Sequence, residues 1–167
     1  MKRIQGGIDT KVLECINPRL QKWLVRWDIQ PYMEDEIVRG ATYYEQLVMH
    51  KPSLDEVKEI VLEGMNHDID EKILSGFVWN GMAVWLSSEN QFNYKAAFDL
   101  AVQTQGANLP TTFKFGTTES PVYHTFTSVE ELMGFYTSAM AYINSCLNEG
   151  WAKKDAMDWS AYESLLE

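Results

Sequence analysis

Asn80-Gly81 stands between two short apolar runs, Gly76-Phe-Val-Trp79 and Met82-Ala-Val-Trp-Leu-Ser87. This dipeptide constrains the fold more tightly than any other in the chain. A two-residue type I′ turn needs positive φ at both central positions, and Asn-Gly supplies it at little steric cost. The register follows: Trp79 opposite Met82, Phe77 opposite Val84, Gly76 opposite Trp85. One face of the ribbon then carries Phe77, Trp79, Met82, Val84 and Leu86, and the other carries Val78, Ala83 and Trp85. A ribbon apolar on both faces has to be covered on both, by its own domain or by a partner.

The rest of the chain surrounds this hairpin with alternating patterns. Residues 1–21 read as loosely structured, broken at Gly6-Gly7 and Asn17-Pro18. Trp23, Val25, Trp27 and Ile29 share one face of a strand, and residues 41–49 read as its return after a polar connection at 34–40. Ser53-Leu-Asp-Glu56 has capping-box form and opens a helix expected to stop at Gly64, with a further turn beginning at Asp68. Ser88-Glu-Asn-Gln91 starts a second helix to about Gln105, with Phe92, Ala96, Ala97, Leu100 and Ala101 as its apolar stripe. Residues 111–115 and 122–126 form a second hairpin. Ser128-Val-Glu-Glu131 opens the longest helix, to about Glu149. Its main stripe is Val129, Leu132, Met133, Tyr136, Met140, Ile143 and Leu147, with Phe135, Ala139, Tyr142 and Cys146 beside it. The fold class is α+β, with antiparallel hairpins alternating with helices in the order β-β-α-ββ-α-ββ-α and a long C-terminal helix. Residues 1–50 are an N-terminal extension and strand pair, 51–150 the hairpin-helix-hairpin-helix core, and 151–167 an amphipathic C-terminal tail.

The residues point away from several kinds of function. A formal charge of -10 opposes binding to a phosphate backbone or an anionic membrane surface, so neither nucleic acid nor membrane is an expected partner. No apolar run reaches the ~20 residues that span a bilayer. The two cysteines, Cys15 and Cys146, do not make a disulfide framework. None of the histidines, His50, His67 and His124, has a second histidine or a cysteine at i+4. His67, Asp68 and Asp70 form the one compact set of potential metal ligands, without a zinc or calcium-loop spacing. There is no Gly-x-Ser-x-Gly elbow and no phosphate-cradling glycine loop. The expectation is a non-enzymatic protein with no catalytic residue, cofactor or metal. Its aromatics serve packing and contact surfaces instead.

The Gly76-Phe77 start, the Asn80-Gly81 turn, Trp85-Leu86-Ser87, the Asn90-Gln91-x-Asn93 helix start and the closing Thr127-Ser-Val-Glu-Glu helix occur in a fixed order. Over about residues 50–150 this resembles a domain-of-unknown-function family spread through phages and prophages, often among tail and tail-fibre genes. The resemblance implies a structural or adaptor protein of the tail region that binds other tail, baseplate or fibre proteins. Alternatives are a tail-fibre assembly chaperone absent from the finished particle and a carbohydrate-binding module at the tail tip. The implied location is the virion, after synthesis in the host bacterial cytoplasm, and a homo-oligomer is compatible with it. Trp79, Met82, Trp85, Phe135 and Tyr142 are the expected protein-interface residues, on the two-faced hairpin and the wide apolar arc of the last long helix.

Overall fold

The computed structural model describes residues 2–167, which divide into two compact units. The first unit comprises residues up to Asp68 together with Ala152–Glu167. The second is Ile69–Trp151. The C-terminal tail thus packs with the N-terminal segment rather than standing apart.

The first unit is built on an antiparallel sheet of four strands: β1 (Ile4–Gly6), β2 (Leu13–Asn17), β3 (Lys22–Glu34) and β4 (Ile37–Val48), in the order β1-β4-β3-β2. Residues 1–21 therefore differ from expectation, since two short strands lie within them. β3 and β4 pair with Trp23 opposite Val48 and Trp27 opposite Tyr44, and a bulge follows at Asp28, whose φ is +49°. They run on to Glu34 and Ile37, across an Asp35-Glu36 turn with both φ values positive. The expected polar connection is thus mostly strand.

α1 (Leu54–Ser75) begins where predicted, with the Ser53 hydroxyl accepting from Glu56 N–H at 3.2 Å. It does not stop at Gly64. A Cβ there would lie 2.7 Å from Cε2 of Trp27 and closer still to Cζ2. Gly64 is a notch that lets the helix lie against the indole, not a C-cap. Leu13, Val25, Trp27, Val48, Val57, Ile60, Val61 and Tyr162 form the core of this unit. Tyr162 comes from α4 (Ser160–Leu166), and its hydroxyl donates to the Arg26 carbonyl at 2.6 Å.

The second unit contains β5 (Phe77–Trp79), β6 (Met82–Val84), α2 (Ser88–Gln103), β7 (Thr111–Gly116), β8 (Pro121–Phe126) and most of α3 (Val129–Asp155). β5–β6 and β7–β8 are separate two-stranded antiparallel sheets. Phe135 is the hub of the core. Its ring centroid lies within 6.4 Å of Phe77, Trp79, Tyr94, Phe113, Phe115 and Phe126. α3 runs past Gly150, where a Cβ would lie 2.5 Å from Cγ1 of Ile69. On α3, Leu132, Phe135, Ala139 and Cys146 are buried while Met133 is exposed. The stripe expected at the side is the centre of the buried face.

α2 departs from its expected phase. Its N-cap is Ser87, whose hydroxyl accepts from Asn90 N–H at 3.2 Å, not Ser88. Tyr94 and Ala101 are buried, with Ala97 and Phe98 packed against the core, while Phe92 and Leu100 face solvent. Two rows of apolar residues run along this helix. Tyr94 and Phe98 bury more area than Phe92 and Leu100 would, so that row takes the core.

Candidate binding face of the central hairpin

The β5–β6 hairpin takes the register its turn dictates from Trp79–Met82 to Phe77–Val84, and the ladder ends there, without the expected Gly76–Trp85 pair. Asn80 and Gly81 have φ of +47° and +79°, and the pairs are Phe77 with Val84, Val78 with Ala83 and Trp79 with Met82. The entry at Gly76 is fixed by a close approach: a Cβ there would lie 2.7 Å from the Lys72 carbonyl and 3.3 Å from Cζ of Tyr142. Tyr142 in turn donates its hydroxyl to that carbonyl at 2.8 Å.

The two faces of the ribbon have different fates. Phe77, Val84 and Leu86 are buried, and Trp79 and Met82 pack half-buried against the same core. On the other face Val78 is 57% exposed and Trp85 is 52% exposed. The second unit thus closes one face and leaves the other open.

Trp85 is held in place although its side chain meets solvent. Its carbonyl accepts from Asn90 Nδ2 at 2.8 Å. Leu86, the next residue, donates its N–H to the Leu74 carbonyl at 3.0 Å and accepts from Gln91 Nε2 at 2.7 Å. The polar Asn90-Gln91 helix start therefore functions as a clamp on the strand that precedes it. An apolar side chain presented on a fixed backbone loses little freedom on binding.

Beside the indole is a cleft of about 330 Å³ lined by Ser75, Ala83, Val84, Trp85, Gly116, Thr117 and Thr118. The Ser75 hydroxyl donates to the Glu71 carbonyl at 2.9 Å, and Thr117 Oγ1 accepts from Ser120 N–H at 3.0 Å. The lining offers an aromatic wall and hydroxyls, with no acid, base or thiol among these residues.

The five residues expected at an interface separate accordingly. Trp85 is exposed at the cleft. Trp79 and Met82 lie on the closed face. Tyr142 is half-buried, and burial, with hydrogen bonding to Cys146, pushes its phenol up to about 12. Phe135, at 0% exposure, is a core residue with no surface to offer. Most of the wide arc of α3 is consumed by its own unit, while Met133 stays exposed. Val78 was legible on the open face but is missing from the expected set. Phe92, expected inward, lies outward.

Other polar groups are engaged structurally. His124 Nε2 lies 2.9 Å from Glu131 Oε1, and the other oxygen of Glu131 accepts from Thr127 N–H at the start of α3. That carboxylate is part of a helix cap. In the first unit, burial raises both the Asp68 carboxyl and the Tyr44 phenol, and the Asp68 charge raises Tyr44 further. Arg26 is buried between Glu14 at 2.8 Å and Glu45 at 3.0 Å. Among the described residues no group of three or more His, Cys, Asp or Glu is placed to hold a metal ion. No helix of the described residues is long and apolar enough to cross a membrane.

A family model for a domain of unknown function, DUF4376, matches residues 56–166. The match covers more than half of the chain, and the chain belongs to that family. No curated protein and no solved structure matches.

Proposed function

We propose that this member of the DUF4376 family is a non-enzymatic adaptor of the phage tail region, binding another virion protein through the open face of the β5–β6 hairpin. The observation that carries the binding surface is Trp85, half-exposed on a backbone pinned by Asn90 and by its neighbour's bonds to Leu74 and Gln91. Large aromatics held in this way dominate the energy of protein interfaces. Val78 extends the same apolar face. The tail-region setting rests on the resemblance of residues 50–150 to phage and prophage proteins.

The test is mass spectrometry of purified virions, together with capture of tail, baseplate and fibre proteins by the wild type and by Trp85→Ala. The adaptor reading expects the chain in virions and capture lost in the variant. Capture of fibre protein with absence from virions selects the assembly-chaperone reading instead. A second binding mode is favoured by the indole standing beside the Ser75, Thr117 and Thr118 residues of the cleft, an arrangement suited to a sugar ring. A glycan array probed with wild type and Trp85→Ala decides it: no glycan retained by the wild type removes that reading.

A further inference from the structure

The outward row of α2 has a pattern that the hairpin reading does not use. Phe92, Ala96 and Leu100 are spaced i, i+4, i+8 and all three are exposed, Phe92 to 70%. The opposite side of the helix, Tyr94, Ala97, Phe98 and Ala101, is committed to the core. The row is bulky, small, bulky, and reads the same in either direction about Ala96. Glu89 and Gln103, each seven residues from Ala96, close its two ends and are also exposed.

We propose that α2 is a self-association surface, at which a second copy of this chain crosses antiparallel with the two Ala96 residues face to face. The small central residue lets the helices approach, as the interdigitation of i±4 ridges requires. A two-fold axis through the crossing sets Phe92 beside Leu100 of the partner subunit, and the reverse. The same operation brings Glu89 to Gln103 of the partner subunit, a carboxylate meeting an amide that can donate to it. No like charges meet along the seam. The row is its own complement in size and charge under this two-fold, which points to a second copy, and it meets the condition that a chain of net charge -10 sets on pairing with itself, that acids be absent or matched. Lys95 and Asp99, to one side of the row, are bonded to each other at 2.5 Å and place no unpaired charge beside it. The apolar seam amounts to a few side chains per copy, well below the ~800 Å² per partner of a standard interface, so the dimer is a weak and transient one.

Sedimentation equilibrium of the full chain from about 5 to about 300 μM reads the association directly, a range suited to a weak dimer. The expected result is a monomer–dimer equilibrium that Phe92→Glu weakens at least ~100-fold, since the substitution buries an unpaired carboxylate twice per dimer. Far-ultraviolet circular dichroism and the thermal midpoint establish that the variant is folded. Ala96→Cys forms an intermolecular disulfide under mild oxidation beyond the wild-type background, and Lys95→Cys, off the seam, does not. A wild type that stays monomeric throughout the range overturns the proposal. So does a dimer that survives Phe92→Glu and leaves Ala96→Cys unlinked.

Discussion

Replacing Gly64 by alanine sets two effects against each other. Alanine in a helix interior is favoured over glycine by about 1 kcal/mol, so the helix alone gains. The added Cβ, however, lies 2.7 Å from Cε2 and 3.0 Å from Nε1 of Trp27, with Cζ2 closer still. The indole cannot retreat cheaply. It is 2% exposed, stacked on Tyr44 at 5.9 Å, and packed in the same cluster as Val25, Val57 and Val61. Overpacking a well-filled core costs about 1–3 kcal/mol, and a rigid ring against backbone belongs at the upper end. The net expectation is a loss of about 2 kcal/mol. Gly134→Ala in α3 is the matched control, because the nearest atom to its Cβ, Cη2 of Trp79, is at an ordinary 3.7 Å. There the propensity acts alone, and a gain of up to about 1 kcal/mol is expected. Urea denaturation separates the two by about 3 kcal/mol, or roughly 1.5 M in midpoint at a slope near 2 kcal/mol/M. A Gly64→Ala protein as stable as wild type would refute the notch and restore the residue to a plain helical position.

Other expectations follow from the same contacts. Burial pushes the Tyr94 and Tyr162 phenols up to about 12, against an unfolded value near 10. Above pH ~10 the unfolded state releases protons that the folded state keeps, so stability is intact below that pH and falls as pH rises toward about 12. Denaturation midpoints at successive alkaline pH values, with tyrosinate absorbance as the probe, check this, and a pH-independent midpoint from 9 to 11.5 contradicts it. Glu45→Gln should cost about 1–2 kcal/mol by weakening a charge-assisted bond to buried Arg26, and Glu14→Gln less, because Glu14 is the more exposed partner. Equal losses in thermal denaturation would show that burial does not rank the two bonds. Trp85→Ala should shift stability by about 1 kcal/mol or less while abolishing partner capture, since half its surface already meets water. Loss of capture accompanied by unfolding in circular dichroism would assign Trp85 to the core instead.

What the sequence reveals depends on how local the cause is. The β5–β6 register is legible because two adjacent residues determine it. The helix starts at Ser53 and Ser128 are legible for the same reason, since cap and partner are three residues apart. Gly64 misleads because glycine ends helices and also admits close neighbours, and the neighbour that decides is Trp27 on another element. β1 is invisible in isolation, since three residues that pair only with β4 show no alternation. Asp35-Glu36 resembles an ordinary polar loop, although both residues adopt the left-handed region there. On α3 the apolar arc exceeds one stripe, and only the aromatic ring around Phe135 identifies its centre. The membership of each hairpin face followed from the alternation, with Val78, Ala83 and Trp85 on one side. Which face a neighbour would close did not, because that depends on where α3 and the second hairpin lie.

The family segment also has a boundary that its own packing does not respect. The match begins at Glu56, inside α1, and ends at Leu166, in α4. Within it, Val57, Ile60, Val61 and Tyr162 are buried against Leu13, Val25, Trp27 and Val48, which all precede it. Exposing those four side chains would forfeit roughly 6–12 kcal/mol, at about 1.5–3 kcal/mol each. That is comparable with the whole stability of a domain, about 5–15 kcal/mol. A fragment of residues 56–167 should therefore keep the Phe135 core and lose order in the first turns of α1 and in α4. Amide exchange would show this as lost protection at Val61 and Tyr162 beside retained protection at Phe135 and Ala139. Full protection throughout the fragment would mean that the segment closes on itself without a sheet. If protection is lost, the apolar start of α1 requires a cover supplied from outside the family segment. In this chain the β1–β4 sheet supplies it, and other members that keep those apolar positions need a substitute of the same kind.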